Sequence, residues 1–171
     1  MLDFAEWLEF TPFSVTIQSV QWIIPLLQSI HIVMIGVVFV SILVVALRIL
    51  GRVRTEQTFA EVWQRFAPWI WSALVVMTVT GLLLVAGEPV REFTSTSFWL
   101  KMTLIVVAVV GAASFSRRAA AIANGAVSES STGSRAAAVA TIALWLAIIF
   151  LGRAIAYDVE VWGALSLTAR G

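Results

Sequence analysis

The sequence contains no cysteine and only one histidine, His31, among its 171 residues. The absence of cysteine excludes disulfides, thiolate metal sites and cysteine nucleophiles. Charge is also scarce: Asp, Glu, Lys and Arg together make up 12% of the chain, and the formal net charge is +1. Because the few basic residues are spread along the chain, they form no basic surface that a nucleic acid would need. We therefore expect no nucleic-acid partner.

Apolar residues dominate instead, at 60% of the chain. Four apolar runs are each long enough to cross a hydrocarbon core of about 30 Å as a helix. These runs are Trp22–Leu47, Pro68–Gly87, Phe98–Phe115 and Ala136–Ala156. A soluble fold of this length cannot bury so much apolar surface. The sequence therefore predicts an all-α integral membrane four-helix bundle. Residues 1–171 would form a single membrane domain, with spans at about 22–47, 68–87, 98–116 and 135–156.

The distribution of arginine predicts the orientation of this bundle. Short loops rich in Lys and Arg stay in the cytoplasm. The first connection carries Arg48, Arg52, Arg54 and Arg65, and the third is bounded by Arg117, Arg118 and Arg135. The N-terminal segment is acidic, and the second connection has only Arg91. We therefore expect both termini on the outer side of the membrane, which in a bacterium would be the periplasm.

Two short helices are expected next to the spans. Thr11 followed by Pro12 is typical of an N-cap and a first helical residue, which predicts a helix over 13–20 in the outer interface. A second helix, capped by Thr55 and ending at Phe66, is expected to rest on the cytoplasmic surface, with Pro68 beginning the second span. Its apolar stripe is formed by Phe59, Val62, Trp63 and Phe66.

Other residues predict where the spanning helices bend or end. Pro25 should kink the chain at the start of the first span, and Gly51 should follow its end. The third span should continue as a helix past the membrane and stop at Asn124-Gly125. Residues Ser128–Ser134 have the composition of a flexible polar connector.

Polar side chains within apolar helices are expensive and therefore indicate function. With the orientation above, all four helices place such residues in the outer leaflet, where they form the candidate ligand-binding cluster. Its members are Gln28, His31, Thr80, Lys101, Arg153 and Tyr157. Each also has a structural interpretation. Lys101 and Arg153 lie close enough to an interface to extend into it, and Arg153 could pair with Glu88 or Asp158. His31 could simply donate a hydrogen bond to a carbonyl or to Gln28.

Several short motifs together resemble an uncharacterised family of small bacterial four-helix membrane proteins, domain of unknown function 6644. These motifs are Gln28-x-x-His31, Leu47-Arg48-x-Leu50-Gly51, Pro68-Trp69-x-Trp71, Thr80-Gly81-Leu82-Leu83-Leu84, Phe98-x-x-Lys101 and Gly152-Arg153-x-x-x-Tyr157. The resemblance extends from about Trp7 to Tyr157. It implies a four-span inner-membrane protein without an established reaction.

The same family is distantly similar to the copper-resistance D and cytochrome b561-like membrane proteins, and this similarity implies haem b or copper. A single histidine does not supply the two axial ligands of a bis-histidine haem within one chain. One histidine with scattered methionines also provides few ligands for copper. Relatives often carry an acidic residue where Gln28 stands, so a carboxylate that could orient His31 is missing. We predict no cofactor and no metal site, with His31 as the ligand if haem or copper is present.

Three functional interpretations follow. The first is a non-enzymatic membrane component or binding subunit that packs with the lipid bilayer and with another membrane protein or a second copy of itself. The second is binding or transport of a lipid, quinone or carboxylate in the outer-leaflet cluster, with Lys101 and Arg153 as counter-charges. The third is a haem or copper redox protein. The sequence shows no nucleophile–base arrangement, so an enzyme is the less favoured class.

Overall fold

The computed structural model describes residues 2–124 and 132–167, which are almost entirely helical. The helices are α1 (Leu2–Glu9), α2 (Pro12–Ser19), α3 (Ile23–Ile49), α4 (Phe59–Gly87), α5 (Pro89–Phe93), α6 (Thr96–Ala123), α7 (Thr132–Ala154) and α8 (Asp158–Trp162). A 3₁₀ turn, Ile155–Tyr157, joins α7 to α8, and a second, Gly163–Leu165, follows α8. The predicted all-α class is confirmed for these ranges.

Four of the helices, α3, α4, α6 and α7 with the turns after it, are long and apolar enough to cross a membrane. Helix α3 packs against α4 and α7, and α6 packs against the same two helices, so the four close into a ring. His31 near the start of α3 meets Thr80 near the end of α4, so these two helices are antiparallel. Lys101 near the start of α6 likewise lies beside Gly152 near the end of α7.

Aromatic side chains of the core pack together at the end of the bundle where α4 begins and α6 ends. Phe115 of α6 makes an edge contact with Phe59, at 6.2 Å between ring centroids, and a tilted contact with Trp63 at 6.1 Å. The indole Nε1 of Trp63 also donates to Ser116 Oγ over 3.2 Å. Aromatic pairs of this kind contribute beyond their buried area. They fix the relative rotation of α4 and α6.

The second span differs from its predicted form. Helix α4 is continuous from Phe59 and contains Pro68 in its interior, so Pro68 does not begin the span. Thr58 caps the helix instead of Thr55: its hydroxyl accepts from the Glu61 N–H at 3.2 Å, and the Glu61 carboxylate accepts from the Thr58 N–H at 2.7 Å. This reciprocal capping box satisfies two backbone donors.

The predicted apolar stripe on these first turns faces the bundle and not a membrane surface. Phe59, Val62 and Trp63 are buried in the core, and Phe66 packs against it. Pro68 is tolerated inside α4 because the neighbouring helices hold the segment in place, as is common in spanning helices. The separate surface helix from Thr55 to Phe66 is therefore wrong.

The ends of the other helices follow the sequence signals more closely. The Thr11 hydroxyl accepts from the Ser14 N–H, and Pro12 is the first residue of α2, as predicted. Helix α3 ends in a Schellman motif, with Gly51 at φ +70° and the Arg52 N–H donating to the Leu47 carbonyl over 2.9 Å. Pro25 lies in the first turn of α3, where its missing N–H removes no helical hydrogen bond.

The third connection is only partly described. Helix α6 ends at Ala123 with Asn124 as its C-cap, as predicted, while Gly125 lies outside the described ranges. Helix α7 begins at Thr132, so residues 132–134 of the predicted flexible connector are helical, while its remaining residues lie outside the described ranges. The regular helix of the fourth span ends at Ala154, two residues before the predicted Ala156, and Ile155–Tyr157 form a 3₁₀ turn.

Antiparallel packing gathers the arginines at one end of the bundle. The end of α3, the start of α4, the end of α6 and the start of α7 share that end. These helix ends and the loop after α3 carry seven arginines: Arg48, Arg52, Arg54, Arg65, Arg117, Arg118 and Arg135. The opposite end carries α1, α2, α5 and α8 and most of the acidic residues. We refer to it below as the acidic end.

Candidate functional site

The single histidine is held near the acidic end by a hydrogen bond between two helices. His31 Nδ1 lies 2.8 Å from Thr80 Oγ1. The same hydroxyl lies 2.8 Å from the Val76 carbonyl oxygen, one turn back along α4. Two oxygen acceptors at that distance would repel each other without a proton between them, so the hydroxyl donates to Val76. The Thr80 oxygen then accepts from Nδ1–H.

This arrangement determines what the other imidazole nitrogen offers. A neutral imidazole carries its proton on one nitrogen and accepts at the other. With the proton on Nδ1, the Nε2 atom of His31 is a hydrogen-bond acceptor. Within residues 2–124 and 132–167, no hydrogen bond reaches this Nε2 atom.

Gly81 lets helix α4 approach the imidazole ring. A Cβ atom built on Gly81 would lie 3.4 Å from Cε1 of His31, at the limit of ordinary van der Waals contact. Thr80 and Gly81 therefore hold the ring from adjacent positions on one helix. Since Thr80 is buried, at 5% exposure, the hydrogen bond to His31 is protected from competing water.

Lys101 of α6 is the cation that acts electrostatically on this ring. Its ammonium group lies 5.4 Å from the centre of the Phe98 ring, one turn back toward the start of α6. The aliphatic stem passes beside Gly152 of α7, where a Cβ atom would lie 3.8 Å from Cδ. The side chain is half-buried and interacts electrostatically with His31. In the described ranges it makes no hydrogen bond or ion pair.

Glu92 on α5 is a further member of the cluster. It lies within electrostatic range of Lys101, although the two do not form an ion pair within 4.0 Å. Burial raises the pKa of the Glu92 carboxyl above its ordinary value, while the charges of Lys101 and Arg91 oppose this rise and Glu88 adds to it. Burial therefore makes the Glu92 carboxyl harder to ionise than that of an exposed glutamate.

The segment carrying Glu92 is held against α6 by aromatic contacts. The Phe93 ring lies 5.9 Å from that of Phe98, and the Phe93 carbonyl accepts from Trp99 Nε1 at 3.0 Å. On its other side Phe93 contacts Phe4 of α1 at 6.0 Å between centroids. These contacts place Glu92 beside the first turn of α6 and hence near Lys101.

A second polar cluster fixes the start of α6. Asp158 of α8 is buried, and its Oδ1 accepts from the Ser95 hydroxyl at 2.8 Å and the Ser97 N–H at 2.9 Å. Its Oδ2 accepts from the Ser166 hydroxyl at 2.6 Å and the Thr96 N–H at 3.1 Å. A carboxylate at a helix N-terminus satisfies free N–H groups and suits the helix dipole. We call this cluster, together with Trp162, the Asp158 clasp.

Further bonds extend the clasp along the C-terminal segment. Trp162 Nε1 donates to Ser97 Oγ at 2.8 Å. The Thr96 hydroxyl donates to the Leu165 carbonyl at 3.2 Å and accepts from the Leu167 N–H at 3.0 Å. The clasp thereby ties the segment up to Leu167 to the first turn of α6, which sets the position of Lys101 one turn further along.

Of the six sequence-predicted site residues, His31 and Thr80 are in contact, and Lys101 lies within electrostatic range of His31. The other three are exposed on the helix surfaces. No hydrogen bond in the described ranges joins Gln28 to His31, since the partner of His31 is Thr80. Arg153 stacks over the Tyr157 ring at 5.8 Å.

The ion pairs considered for Arg153 are not formed. Glu88 pairs with Arg91, three residues away. Asp158 is occupied by the hydrogen bonds of its clasp. Arg153 instead remains at the surface next to Gly152, one residue from the position that contacts Lys101.

Sequence reasoning missed Glu92, Gly81 and the role of Asp158. Glu92 belongs to a connection that looks like an ordinary polar loop, and no local pattern in it predicts that α1 packs against α5. For Asp158 a signal was available, because Ser95-Thr96-Ser97 is a strong N-cap sequence that a nearby carboxylate would complete.

The donor set at this end does not resemble a metal or haem site. In the described part of the chain, no three His, Asp or Glu side chains lie close enough to hold a metal ion. The sequence has one histidine, so two histidine ligands to a haem would have to come from two chains.

The comparisons with known proteins identify a family but no function. The model of the Family of unknown function (DUF6644) matches residues 4–158, which is most of the chain, so the protein belongs to this family. Neither a curated protein nor a solved structure matches it. The match contains both the His31–Lys101 cluster and Asp158.

Proposed function

We propose that this member of the DUF6644 family is a non-enzymatic multi-pass membrane protein that binds an amphipathic molecule with an anionic headgroup. The binding site would be the cluster of His31, Thr80 and Lys101. The supporting observation is the state of Lys101, a half-buried cation that makes no hydrogen bond or ion pair in the described ranges. Its ammonium group lies over the Phe98 ring, and Glu92 is within electrostatic range but not in contact. A cation in an apolar helix is costly without a counter-charge. An anionic headgroup would supply that charge.

A binding role fits the His31–Thr80 geometry better than a catalytic one. In a nucleophile–base pair the hydroxyl donates to the imidazole. Here the Thr80 hydroxyl directs its proton to the Val76 carbonyl and accepts from His31. The hydroxyl is therefore not activated, and the imidazole serves to present Nε2 toward a bound molecule.

Decanoate tests this proposal because it combines an anionic headgroup with a short apolar chain. Binding would be measured by equilibrium dialysis against protein in phosphatidylcholine nanodiscs, with empty discs subtracted. Lys101→Gln should weaken binding about tenfold or more, since a hydrogen bond to a charged group contributes about 1.5–3 kcal/mol. Arg91→Gln is the matched control, because Arg91 is an exposed cation at the same end. Equal binding by the two variants, or none by the native protein, would refute the proposal.

We also propose that the arginine-rich end faces the cytoplasm of a bacterium, which would put the site in the outer leaflet of the inner membrane. The support is the segregation of arginine described above and the positive-inside rule. The natural absence of cysteine allows a direct test. Arg91→Cys should react with a membrane-impermeant maleimide in intact spheroplasts, whereas Glu56→Cys should react only in inverted vesicles. The reverse pattern would overturn the orientation.

A haem b or copper redox role has less support, because one histidine provides too few ligands within a chain. The absorbance spectrum of the purified protein separates the two ideas. A Soret band that disappears in His31→Phe would favour haem over the binding role.

A further inference from the structure

We infer that the ligand of this site carries a hydroxyl group a few carbons below its anionic headgroup, as in a 3-hydroxy fatty acid. This inference rests on the proposed function and specifies its ligand class. It follows from the kinds of polar atom that the site leaves unused and from their order along the bundle.

The site offers one acceptor and one cationic donor. Because Nδ1 of His31 donates to Thr80, whose proton is directed to Val76, the remaining Nε2 atom can only accept. The Lys101 ammonium can only donate. A simple carboxylate satisfies Lys101 but has no proton for Nε2 when it is ionised. A ligand that satisfies both groups needs an anion and a separate hydrogen-bond donor.

The order of the two groups indicates where that donor lies. The Lys101 side chain runs back toward the start of α6, so its ammonium group lies at the level of Phe98 in the first turn. His31 is more than two turns from the start of α3, and its partner Thr80 is about two turns from the end of α4. The cation is therefore nearer the acidic end of the bundle, and the acceptor is deeper. The matching ligand has its anion outermost and its hydroxyl further along the chain.

The reach of such a ligand is set by its own dimensions. A hydroxyl on the third carbon lies about 3 Å from the carboxylate oxygens, and each hydrogen bond adds about 2.8 Å. A fully extended bridge between the two nitrogen atoms therefore spans roughly 9 Å at most. A glycerol headgroup, by contrast, places its hydroxyls outside its phosphate and so in the wrong order.

Three decanoates of equal chain length test the inference: decanoate, 3-hydroxydecanoate and 10-hydroxydecanoate. At about pH 8 all three are ionised, and their binding to nanodisc-embedded protein would be measured by equilibrium dialysis. We expect 3-hydroxydecanoate to bind about three- to tenfold more tightly than decanoate, as one added hydrogen bond allows. The 10-hydroxy isomer should bind no better than decanoate, because its hydroxyl lies at the other end of the chain.

The His31→Phe variant keeps a ring of similar size but has no nitrogen acceptor. It should bind decanoate and 3-hydroxydecanoate equally, while Lys101→Gln should weaken both. Native protein that binds the two acids equally well would overturn the hydroxyl inference and leave the anionic site standing. An advantage of the 3-hydroxy acid that persists in His31→Phe would also overturn it. Failure of all three acids to bind would refute the proposed function itself.

Discussion

The Asp158 clasp gives the strongest prediction about stability. Replacing Asp158 with alanine removes the acceptor of four hydrogen bonds, two from backbone N–H groups of α6 and two from serine hydroxyls. The hydroxyls can rotate toward other acceptors, but the Thr96 and Ser97 N–H groups point along the helix and cannot. Each buried donor left unsatisfied costs about 1–3 kcal/mol. We therefore expect Asp158→Ala to lower the free energy of unfolding by about 3 kcal/mol.

Asp158→Asn should have a smaller effect, because the amide keeps one acceptor oxygen and the shape of the side chain. It can still accept from Ser95 and Ser97 through one oxygen, while its amide nitrogen would face the Thr96 N–H. We expect roughly half the loss that alanine causes, since two of the four bonds remain. The difference between the two variants separates the loss of acceptors from the loss of packing.

The assay is reversible unfolding in mixed micelles with increasing sodium dodecyl sulfate, followed by far-UV circular dichroism. Glu160→Ala is the matched control, because Glu160 is an exposed acid on the same short helix as Asp158. Exposed substitutions of this kind usually change stability by less than about 0.5 kcal/mol. An Asp158→Ala variant as stable as Glu160→Ala would refute the reasoning and show that the clasp does not hold α6.

Three further predictions concern the site and the helix ends. Burial raises the pKa of Glu92 above about 4.5. As pH rises through that raised pKa, ionised Glu92 begins to compete for Lys101, so binding of the fixed anion decanesulfonate should weaken. Glu92→Gln should bind decanesulfonate independently of pH, and an equal pH profile for the native protein and this variant would contradict the prediction. Gly81→Leu should displace the His31 ring and remove the three- to tenfold advantage of 3-hydroxydecanoate over decanoate, whereas Gly111→Leu, with no atom within 4 Å, should keep it. Gly51→Ala should lower the free energy of unfolding by about 1 kcal/mol, because Gly51 has a φ of +70°. Gly36→Ala, in the interior of α3, should not lower it. Equal effects of the two substitutions would argue against the Schellman motif at the end of α3.

The four spans could be predicted because a membrane-crossing helix needs a long apolar run, and such a run is visible in any sequence. The positions at which several helices begin or end could also be predicted. Thr11 with Pro12, Gly51 and Asn124 each act through local geometry that involves a few neighbouring residues. Local signals of this kind do not depend on the rest of the fold.

The start of α4 was mispredicted because two local signals competed. Pro68 is compatible with a first helical turn, and the apolar stripe before it resembles a helix lying on a membrane. The Thr58–Glu61 capping box was equally visible in the sequence and gives the correct start. The sequence does not show that Phe115 of α6 lies against the start of α4. Its contacts with Phe59 and Trp63 orient the apolar stripe toward the bundle.

The pairing of His31 with Thr80 could not be predicted, although both residues were identified. Helix α3 is apolar on nearly every face, so its hydrophobic pattern does not indicate its rotation in the bundle. The depth of each residue follows from its helix direction, but its partner follows from that rotation. Gly81 illustrates the point, because its role depends on a ring edge that approaches from another helix.

The two polar clusters at the acidic end, the Asp158 clasp and the His31–Lys101 cluster, differ in how many of their hydrogen-bonding groups have partners. Each oxygen of Asp158 accepts two hydrogen bonds, and the surrounding donors are thereby used, as expected for a structural centre. His31 uses one nitrogen, and Lys101 rests its ammonium group over a ring. Unused bonding capacity on an ionisable residue in an apolar bundle is costly, and a ligand that meets it would reduce that cost. The Asp158 clasp therefore positions α6, and the capacity left at His31 and Lys101 is what a ligand would use.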